Sequence, residues 1–258
     1  RKALEDEQFV LYYQPIVNLK TFAVCGFEAL IRWQHPHRGF VAPLDFIPIT
    51  EETGLIVPLG RWILHTACQQ LAKWLSQFPH HSLRMSVNLS VKQLDMALLE
   101  ELDTILAIYA IPGHALALEI TESMLVTNVE TTCKVLEQIR VRGIRISIDD
   151  FGTGYSSLSY LHRLPVDALK IDRAFVSPAA ADVRNQVIAE SVMALSNLLE
   201  LKAIAEGVET EEHIRWLQLL GCELGQGYFF SRPLPPVDMT QLLRQQTSLP
   251  VPSSLRTS

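Results

Sequence analysis

The segment at positions 144–150, with the sequence IRISIDD, carries the pattern that decides the fold. Its isoleucines recur at every second position, while Ser147 and Asp149 share the opposite face, because side chains alternate along a β-strand. The bulky face suits packing against helices, and the other face suits a crowded interior. The segment ends in two adjacent carboxylates, Asp149 and Asp150. Neighbouring negative charges in a low-dielectric site repel each other and lose hydration, so the sequence predicts a positive partner for them.

A small residue followed two positions later by a polar one recurs along the chain. The pairs are Gly26 with Glu28, Ser86 with Asn88, Ala117 with Glu119, Ser147 with Asp149, and Ala168 with Lys170. We expect the small residues to face the interior of a barrel and the polar residues to lie above them at the strand ends, where barrel active sites are found. Glu206 departs from the pattern because Ile204 lies beneath it.

Strand-like segments alternate with amphipathic helical ones, which predicts an α/β fold of the (β/α)8 TIM-like barrel type. The strand-like segments are FVLYYQPIV, VCGFEALIRW, RMSVNLS, ALALEIT, IRISIDD, ALKID, KAIAEGV and GYFF. The helical segments include GRWILHTACQQLAKWL, VETTCKVLEQIRVRG, RNQVIAESVMALSNLLE and EEHIRWLQLLG. We expect residues 1–245 to form the barrel and residues 246–258 a flexible C-terminal tail. A doubly wound open sheet is the alternative.

Composition narrows the classes of protein. The chain has 258 residues, 48% of them hydrophobic, and a net charge of −6, which argues against a general affinity for DNA or for anionic membranes. The cysteines form no CxxC pair, so we expect neither a disulfide framework nor a zinc ribbon, but a reducing, cytoplasmic setting. The sequence has no apolar run of membrane-spanning length and no signal-peptide pattern at its start. We expect a domain of a longer protein, whose membrane anchor, if it has one, lies outside this chain.

The polar strand ends form an oxygen-rich set with one amine, Lys170. The oxygen donors are Glu28, Asn88, Glu119, Asp149, Asp150 and Glu206. Such donors suit Mg²⁺ or Mn²⁺, and their number favours two ions about 3.5–4 Å apart with Asp149 as the bridge. Lys170 is expected to orient a water between them or to exchange its proton, with a pKa lowered by the two neighbouring cations.

Two other features leave alternatives open. Arg32 lies two positions after Leu30 and is interpreted either as a contact to an anionic ligand or as half of a surface salt bridge. Gly152 and Gly154 are interpreted either as a flexible turn or as part of a phosphate loop. A turn there would let Asp149 and Asp150, which a regular strand points to opposite faces, address one site.

These motifs, taken together and in order, resemble a known family. They are YYQPIV, FEALIRW, SVNLS, LEITES, DDFGTGYSSLSYL, ALKIDRAFV, AIAEGVET and GQGYFFSRP, and they extend from about Phe9 to Pro236. The chain resembles the EAL-domain cyclic-di-GMP phosphodiesterases. The resemblance implies a modified (β/α)8 barrel with an antiparallel first strand. It also implies hydrolysis of one phosphodiester bond of cyclic-di-GMP to linear pGpG, with Mg²⁺ or Mn²⁺, in bacterial second-messenger signalling.

The resemblance also implies roles for individual residues. The implied metal ligands, direct or through water, are Glu28, Asn88, Glu119, Asp149, Asp150 and Glu206; Lys170 would hold or activate the attacking water. Implied substrate contacts are Gln14, Arg32, Asp172, Glu209 and Gln226. Glu122 would anchor the loop after Asp150, a loop that is coupled to dimer contacts. A homodimer and an upstream GGDEF or sensory domain are implied partners.

Two other functions are weighed against hydrolysis of cyclic-di-GMP. A receptor domain that binds cyclic-di-GMP without cleaving it would usually lack a metal carboxylate, the lysine or the loop motif, and all are present here. A barrel glycosidase needs only a carboxylate pair, which leaves Asn88, Lys170 and the extra carboxylates unexplained.

Overall fold

The computed structural model describes residues 2–125, 129–153, 161–176 and 183–245. Their strands are β1 (Phe9–Asn18), β2 (Val24–His35), β3 (Gly39–Val41), β4 (Arg84–Asn88), β5 (Leu116–Thr121), β6 (Arg145–Phe151), β7 (Ala168–Ile171), β8 (Lys202–Ala205) and β9 (Leu224–Gly225). They pair in the order β1-β9-β8-β7-β6-β5-β4-β2-β3, and a further β1–β2 pairing closes the ring. The predicted α/β barrel is confirmed, β3 being an addition at the edge of β2, and the open-sheet alternative is wrong.

The direction of the first strand differs from that of the others in the ring. β1 is antiparallel to both of its neighbours, β2 and β9, whereas the successive pairs from β2 through β4 to β9 are parallel. The antiparallel first strand that the resemblance implied is therefore confirmed. Because the other strands of the ring run the same way, their carboxyl ends meet at one rim.

Helices cover the outside of the ring. Their bounds are α1 (Lys2–Glu5), α2 (Pro43–Glu52), α3 (Ile56–Gln77), α4 (Met96–Tyr109), α5 (Val129–Val141), α6 (Val183–Leu198), α7 (Glu211–Leu219) and α8 (Pro236–Gln245). The four predicted helical segments correspond to α3, α5, α6 and α7. On α3, the stripe Ile63, Ala67, Leu71 and Trp74 is buried, as its helical spacing predicts. Trp74 also donates from Nε1 to Thr240 Oγ1 of α8 at 2.9 Å, which ties two helices together.

The two faces of the strands are used as the alternation predicts. The bulky residues of β6, Ile146 and Ile148, are fully buried in the main hydrophobic core. The small residues all line one cavity inside the barrel: Gly26, Ser86, Ala117, Ser147 and Ala168. The interior at this level is narrow, and a Cβ added at Gly26 would lie 2.7 Å from the carbonyl oxygen of Arg84. The predicted division between a bulky outer face and a small inner face is confirmed.

The predicted strand GYFF, at positions 227–230, is wrong. The last strand is β9, Leu224–Gly225, and the following segment turns back, with the Phe230 amide donating to Gly227 O at 3.1 Å. A Cβ at Gly227 would lie 2.1 Å from the carbonyl oxygen of Val208, so the chain passes too close to its neighbour for any side chain there. Aromatic residues favour strands in general, but this close contact decides the local conformation.

Several predictions concern parts of the chain beyond the described ranges. The expected tail at 246–258 and the loop residues at 154–160, including Gly154, lie outside them. Within the ranges that are described, none of the helices combines the length and the apolar character needed to cross a bilayer.

Candidate active site

A cavity of about 240 Å³ opens at the carboxyl rim of the barrel. The predicted site residues that line it are Gln14, Glu28, Asp149, Glu206, Glu209 and Gln226. They come from β1, from β2, from β6 and from the segments that follow β8 and β9. Strands far apart in sequence thus deliver the predicted polar residues to one opening.

Lys170 stands at the centre of the acidic residues and is completely buried. The distances from its Nζ are 2.6 Å to Glu206, 2.7 Å to Glu119, 3.1 Å to Asp149 and 3.5 Å to Glu28. One ammonium group therefore faces four carboxylates, and the cluster carries an excess of negative charge when all of them are ionised.

The surroundings of Lys170 keep it charged. Burial lowers the pKa of Lys170, but the carboxylates outweigh burial and hold that pKa well above its usual value. Among protein groups alone, Lys170 is thus a cation that donates hydrogen bonds. The lowered pKa expected from two neighbouring metal ions stays a prediction.

The pKa values of the carboxylates reflect their burial around one shared cation. Burial raises the pKa of Glu119 well above its usual value and raises the pKa of Glu206 to about 7, although Lys170 acts in the opposite direction on both. Burial, helped by the charges of Asp149 and Asp172, also raises the pKa of Asp150. These groups favour protons, or other cations, over the bare ionised state.

Glu28 differs from the other carboxylates because its hydrogen bonds are satisfied. Asn88 Nδ2 donates to its Oε1 at 2.7 Å, and Gln226 Nε2 donates to its Oε2 at 2.6 Å. Burial raises the pKa of Glu28, but Lys170 and these two donors outweigh burial and lower it overall. Gln226 is itself held by Gln14 Oε1 at 2.9 Å, so β1 and the segment after β9 fix the orientation of Glu28.

A bulge in β6 brings the two adjacent aspartates to the same side. The strand continues through Phe151, but its register against β7 shifts between Ile148 and Phe151, and Asp150 adopts a φ of 53°. Asp149, Asp150 and Glu206 each offer an oxygen, and these atoms lie within 4.8 Å of one another. The turn expected after the aspartates thus begins at Asp150 itself, before the glycines.

Arg32 lies on β2, four residues beyond Glu28, and is half-buried. Its Nη1 donates to the carbonyl of Ile31 at 2.8 Å, and its guanidinium lies 5.7 Å from the centre of the Tyr12 ring. Burial lowers its pKa. Its charge has no ion-pair partner within the ranges described, so the salt-bridge alternative finds no support.

Three further predicted residues lie around the central cluster. Asp172 follows β7 and accepts a hydrogen bond from the Ala174 amide at 2.8 Å, which caps a short 3₁₀ turn. Glu209 lies at the edge of the cavity, where its amide donates to His213 Nδ1 at 3.3 Å. Glu122 follows β5, and its Oε2 is buried without a hydrogen-bond partner among the described residues.

The sequence reasoning missed the two long polar side chains of the cavity wall that were not among the predicted site residues. Arg173 follows β7 and Tyr228 follows β9, and both line the opening. The guanidinium of Arg232 lies 4.2 Å from the centre of the Tyr228 ring. The available signal for Arg173 was a basic residue two positions after a strand end. For Tyr228, the wrong strand prediction hid its position in a turn.

A family model described as "EAL domain" matches residues 1–233. The chain belongs to the EAL domain family. "Cyclic di-GMP phosphodiesterase NbdA" of Pseudomonas aeruginosa is 44% identical over 245 residues, which cover 95% of this chain and 31% of the relative. "Bifunctional diguanylate cyclase/cyclic di-GMP phosphodiesterase MucR" of the same species is 44% identical over 236 residues, which cover 91% of this chain and 34% of the relative.

Solved structures of EAL proteins share this fold. "PaMucR Phosphodiesterase, c-di-GMP complex" superposes with a TM-score of 0.88 at 43% identity, over 93% of this chain and 97% of that chain. The EAL domain described here spans about a third of the length of the first curated relatives.

Proposed function

We propose that this EAL domain is a metal-dependent phosphodiesterase that hydrolyses one phosphodiester bond of cyclic-di-GMP to linear pGpG in bacterial second-messenger signalling. The observation that carries the proposal is the cluster of carboxylates around Lys170 beside the rim cavity. The proposal is supported by the names of relatives that match nearly the whole chain, which give a phosphodiesterase and cyclic-di-GMP.

The residues fit a site for two Mg²⁺ or Mn²⁺ ions. We propose as ligands Glu28, Asn88, Glu119, Asp149, Asp150 and Glu206. The fit is supported by the clustered oxygens of Asp149, Asp150 and Glu206 and by Glu119 Oε1, which is buried and lacks a hydrogen-bond partner among the described residues. When bound, two such ions lower the pKa of a water they share and stabilise charge at the phosphate.

The chain's own residues would orient the reactants. Lys170, kept cationic by its carboxylates, is placed in the proposal as a donor that holds the attacking water. Gln226 and Gln14 keep Glu28 in one orientation through their hydrogen-bond chain. Arg32 is proposed as a phosphate contact, which is supported by the lack of any carboxylate paired with it in the described ranges.

The outer residues complete the proposal. Asp172 and Glu209, with Gln14 and Gln226, are proposed to contact the nucleotide around the cavity. Glu122 is proposed to anchor the loop after Asp150, and its buried unpartnered oxygen supports a role in holding polar groups.

The decisive experiment incubates the purified domain with cyclic-di-GMP and either Mg²⁺ or Mn²⁺ and separates the products by chromatography. We expect linear pGpG from the unmodified domain and none from Glu28→Ala. Glu130→Ala, at an exposed carboxylate of α5, is the matched control and should retain full turnover. Tight binding of cyclic-di-GMP without product under both metals would favour the receptor alternative instead.

We also propose that the domain forms a homodimer and functions in the cytoplasm as part of a longer protein with an upstream GGDEF or sensory domain. The greater length of the matched relatives supports the presence of further segments. Light scattering of the domain, with and without cyclic-di-GMP, should give the mass of two chains; the mass of one chain under both conditions would contradict the dimer.

A further inference from the structure

A second cavity lies inside the barrel, at the end opposite the acidic rim. It measures about 50 Å³ and reaches the amino-terminal mouth, where Arg84, Arg145 and Lys202 line it. These three residues are the first residues of β4, β6 and β8. The mouth is therefore ringed by positive charge, although the chain as a whole is acidic.

The strand alternation explains this arrangement. On each of these three strands, the inward face carries a cation at the start, a small or apolar residue next, and an oxygen-bearing residue at the end. The three columns are Arg84, Ser86 and Asn88; Arg145, Ser147 and Asp149; and Lys202, Ile204 and Glu206. The barrel interior is thus cationic at one end and anionic at the other, about 13 Å apart at roughly 3.3 Å per residue.

The positive charge at this mouth is not neutralised. Asp167 is the one carboxylate that lines the cavity among the described residues, and its Oδ1 is shared, at 3.3 Å each, between Arg140 and Arg145. Its Oδ2 accepts from the amide of Ile146 at 2.9 Å. Arg84 and Lys202 make no side-chain hydrogen bond or ion pair within the described ranges, so their charges remain available.

Donor groups also point to an absent acceptor. Nε of Arg145 is buried and has no hydrogen-bond partner in the part of the chain that is described. The hydroxyls of Ser86 and Ser147 line the same cavity and are buried with it. Buried guanidinium nitrogens are normally hydrogen-bonded, so an acceptor is expected there.

We propose that this cationic mouth, defined by Arg84, Arg145 and Lys202, binds a small tetrahedral oxyanion of the phosphate type. Guanidinium and ammonium groups recognise phosphate oxygens, and the cavity is several times the ~10–15 Å³ that one water needs. A nucleotide is too large for it. The site is separate from the carboxylate rim and does not depend on the proposed hydrolysis.

Cys25 offers a reporter inside the cavity. Cys25 is half-buried and lines the same cavity as Arg84 and Lys202, and burial raises the pKa of its thiol. The other half-buried thiol is Cys133, whereas Cys68 and Cys222 are buried. In a Cys133→Ser background, alkylation by neutral iodoacetamide therefore reports on Cys25.

The test measures that alkylation rate in metal-free protein with a chelator present, so that phosphate is not drawn to the acidic rim through a metal. Inorganic phosphate should slow alkylation saturably, at constant ionic strength set with chloride. In Arg84→Gln and Lys202→Gln, the half-saturating concentration should rise by about tenfold, as expected for a lost charge-assisted hydrogen bond. Lys73→Gln, at an exposed cation of α3, is the matched control and should match the parent.

A second readout keeps the test valid if a variant alters the reactivity of Cys25. The phosphate-dependent rise in melting temperature should be smaller in Arg84→Gln and Lys202→Gln than in Lys73→Gln. Two results would overturn the site, because they would mean bulk ion effects or trapped water only. One is equal protection of Cys25 and equal melting shifts in all variants. The other is protection that rises linearly with phosphate and does not saturate. Neither readout involves turnover, so failure here is independent of the proposed phosphodiesterase activity.

Discussion

Lys170 holds four carboxylates in contact distance, and its removal should expose their mutual repulsion. In metal-free protein at pH 7.5, Lys170→Ala should lower the free energy of unfolding by about 3–5 kcal/mol, the range for breaking a buried ion pair. Denaturant unfolding followed by circular dichroism measures this, with Lys73→Ala as the control. A stability equal to that of the parent would show that the ammonium group does not hold the cluster together.

Glu206 gives the site a pH dependence whose sign is determined by its pKa. Burial raises the pKa from 4.5 to about 7 in the folded, metal-free chain, so the folded state binds a proton more tightly than the unfolded state. The stabilisation from this proton is complete below about pH 4.5 and is lost as the pH rises through about 7. Because metal ions compete with that proton, Mn²⁺ should raise the melting temperature more at pH 8 than at pH 6.

Differential scanning fluorimetry across this pH range checks the Glu206 prediction. Glu206→Gln, which carries no titrating proton, should show a weaker metal-induced shift at both pH values and little difference between them. A shift of the parent protein that is the same at pH 6 and pH 8 would contradict the assignment.

At the scale of the element, the bulge of β6 aims two adjacent carboxylates at one place, and Gly152 follows the strand directly. Its φ is 98°, and an added Cβ would lie 3.1 Å from the Phe175 ring and 3.2 Å from Ile188. Gly152→Ala should destabilise the fold by about 1–3 kcal/mol and weaken metal binding, through the strained φ and the crowding together. Calorimetric titration with Mn²⁺ and thermal unfolding measure the two effects.

Gly54 provides the matched control for this bulge. Its φ is 73°, but no atom lies within 4 Å of the position of an added Cβ. Gly54→Ala should therefore carry the backbone strain alone and leave the metal affinity unchanged. Equal loss of metal affinity in both variants would show that the geometry of β6 is not what aims the aspartates.

The elements also show how far sequence reasoning extends. Alternation in β6 predicted its two faces because packing on both sides enforces the pattern. The bulge was not visible in the sequence, because it requires a positive φ at Asp150, which is not a glycine. α2 was missed because Pro48 interrupts its sequence, and α4 because apolar Met96 and Ile108 on its exposed side obscure the buried stripe. β9 has two residues and offers no periodicity.

The candidate site was easier to predict in its types of residue than in its contacts. Carboxylates at strand ends follow from the two-residue period, and closure of a barrel brings such ends together. The hydrogen bond from Gln226 to Glu28 joins residues 198 positions apart, and local spacing does not reveal it. Such pairings depend on the closed ring rather than on any single strand.

At the scale of the whole molecule, the ring contains a short seam between β1 and β9, which, like the pairing of β9 with β8, consists of two residue pairs. The two strands pair only at Val17 with Gly225 and Asn18 with Leu224. Gly227 follows this seam, and a Cβ there would lie within 2.6 Å of three backbone atoms of Val208. Gly227→Ala should therefore push the segment after β9 away from the barrel, and it should lower the free energy of unfolding by about 2–4 kcal/mol.

Because Gln226 is next to this glycine and orients Glu28, opening the seam should also reduce turnover of cyclic-di-GMP. Hydrogen exchange should show faster exchange for amides of β1 and β9 in Gly227→Ala, with little change in β5 and β6 on the opposite side of the ring. Gly221→Ala, where φ is 81° and no atom lies within 4 Å of the added Cβ, is the control and should leave the seam amides protected. Uniform acceleration across all strands in Gly227→Ala would mean that the ring opens as one unit, and that the seam is not its weakest point.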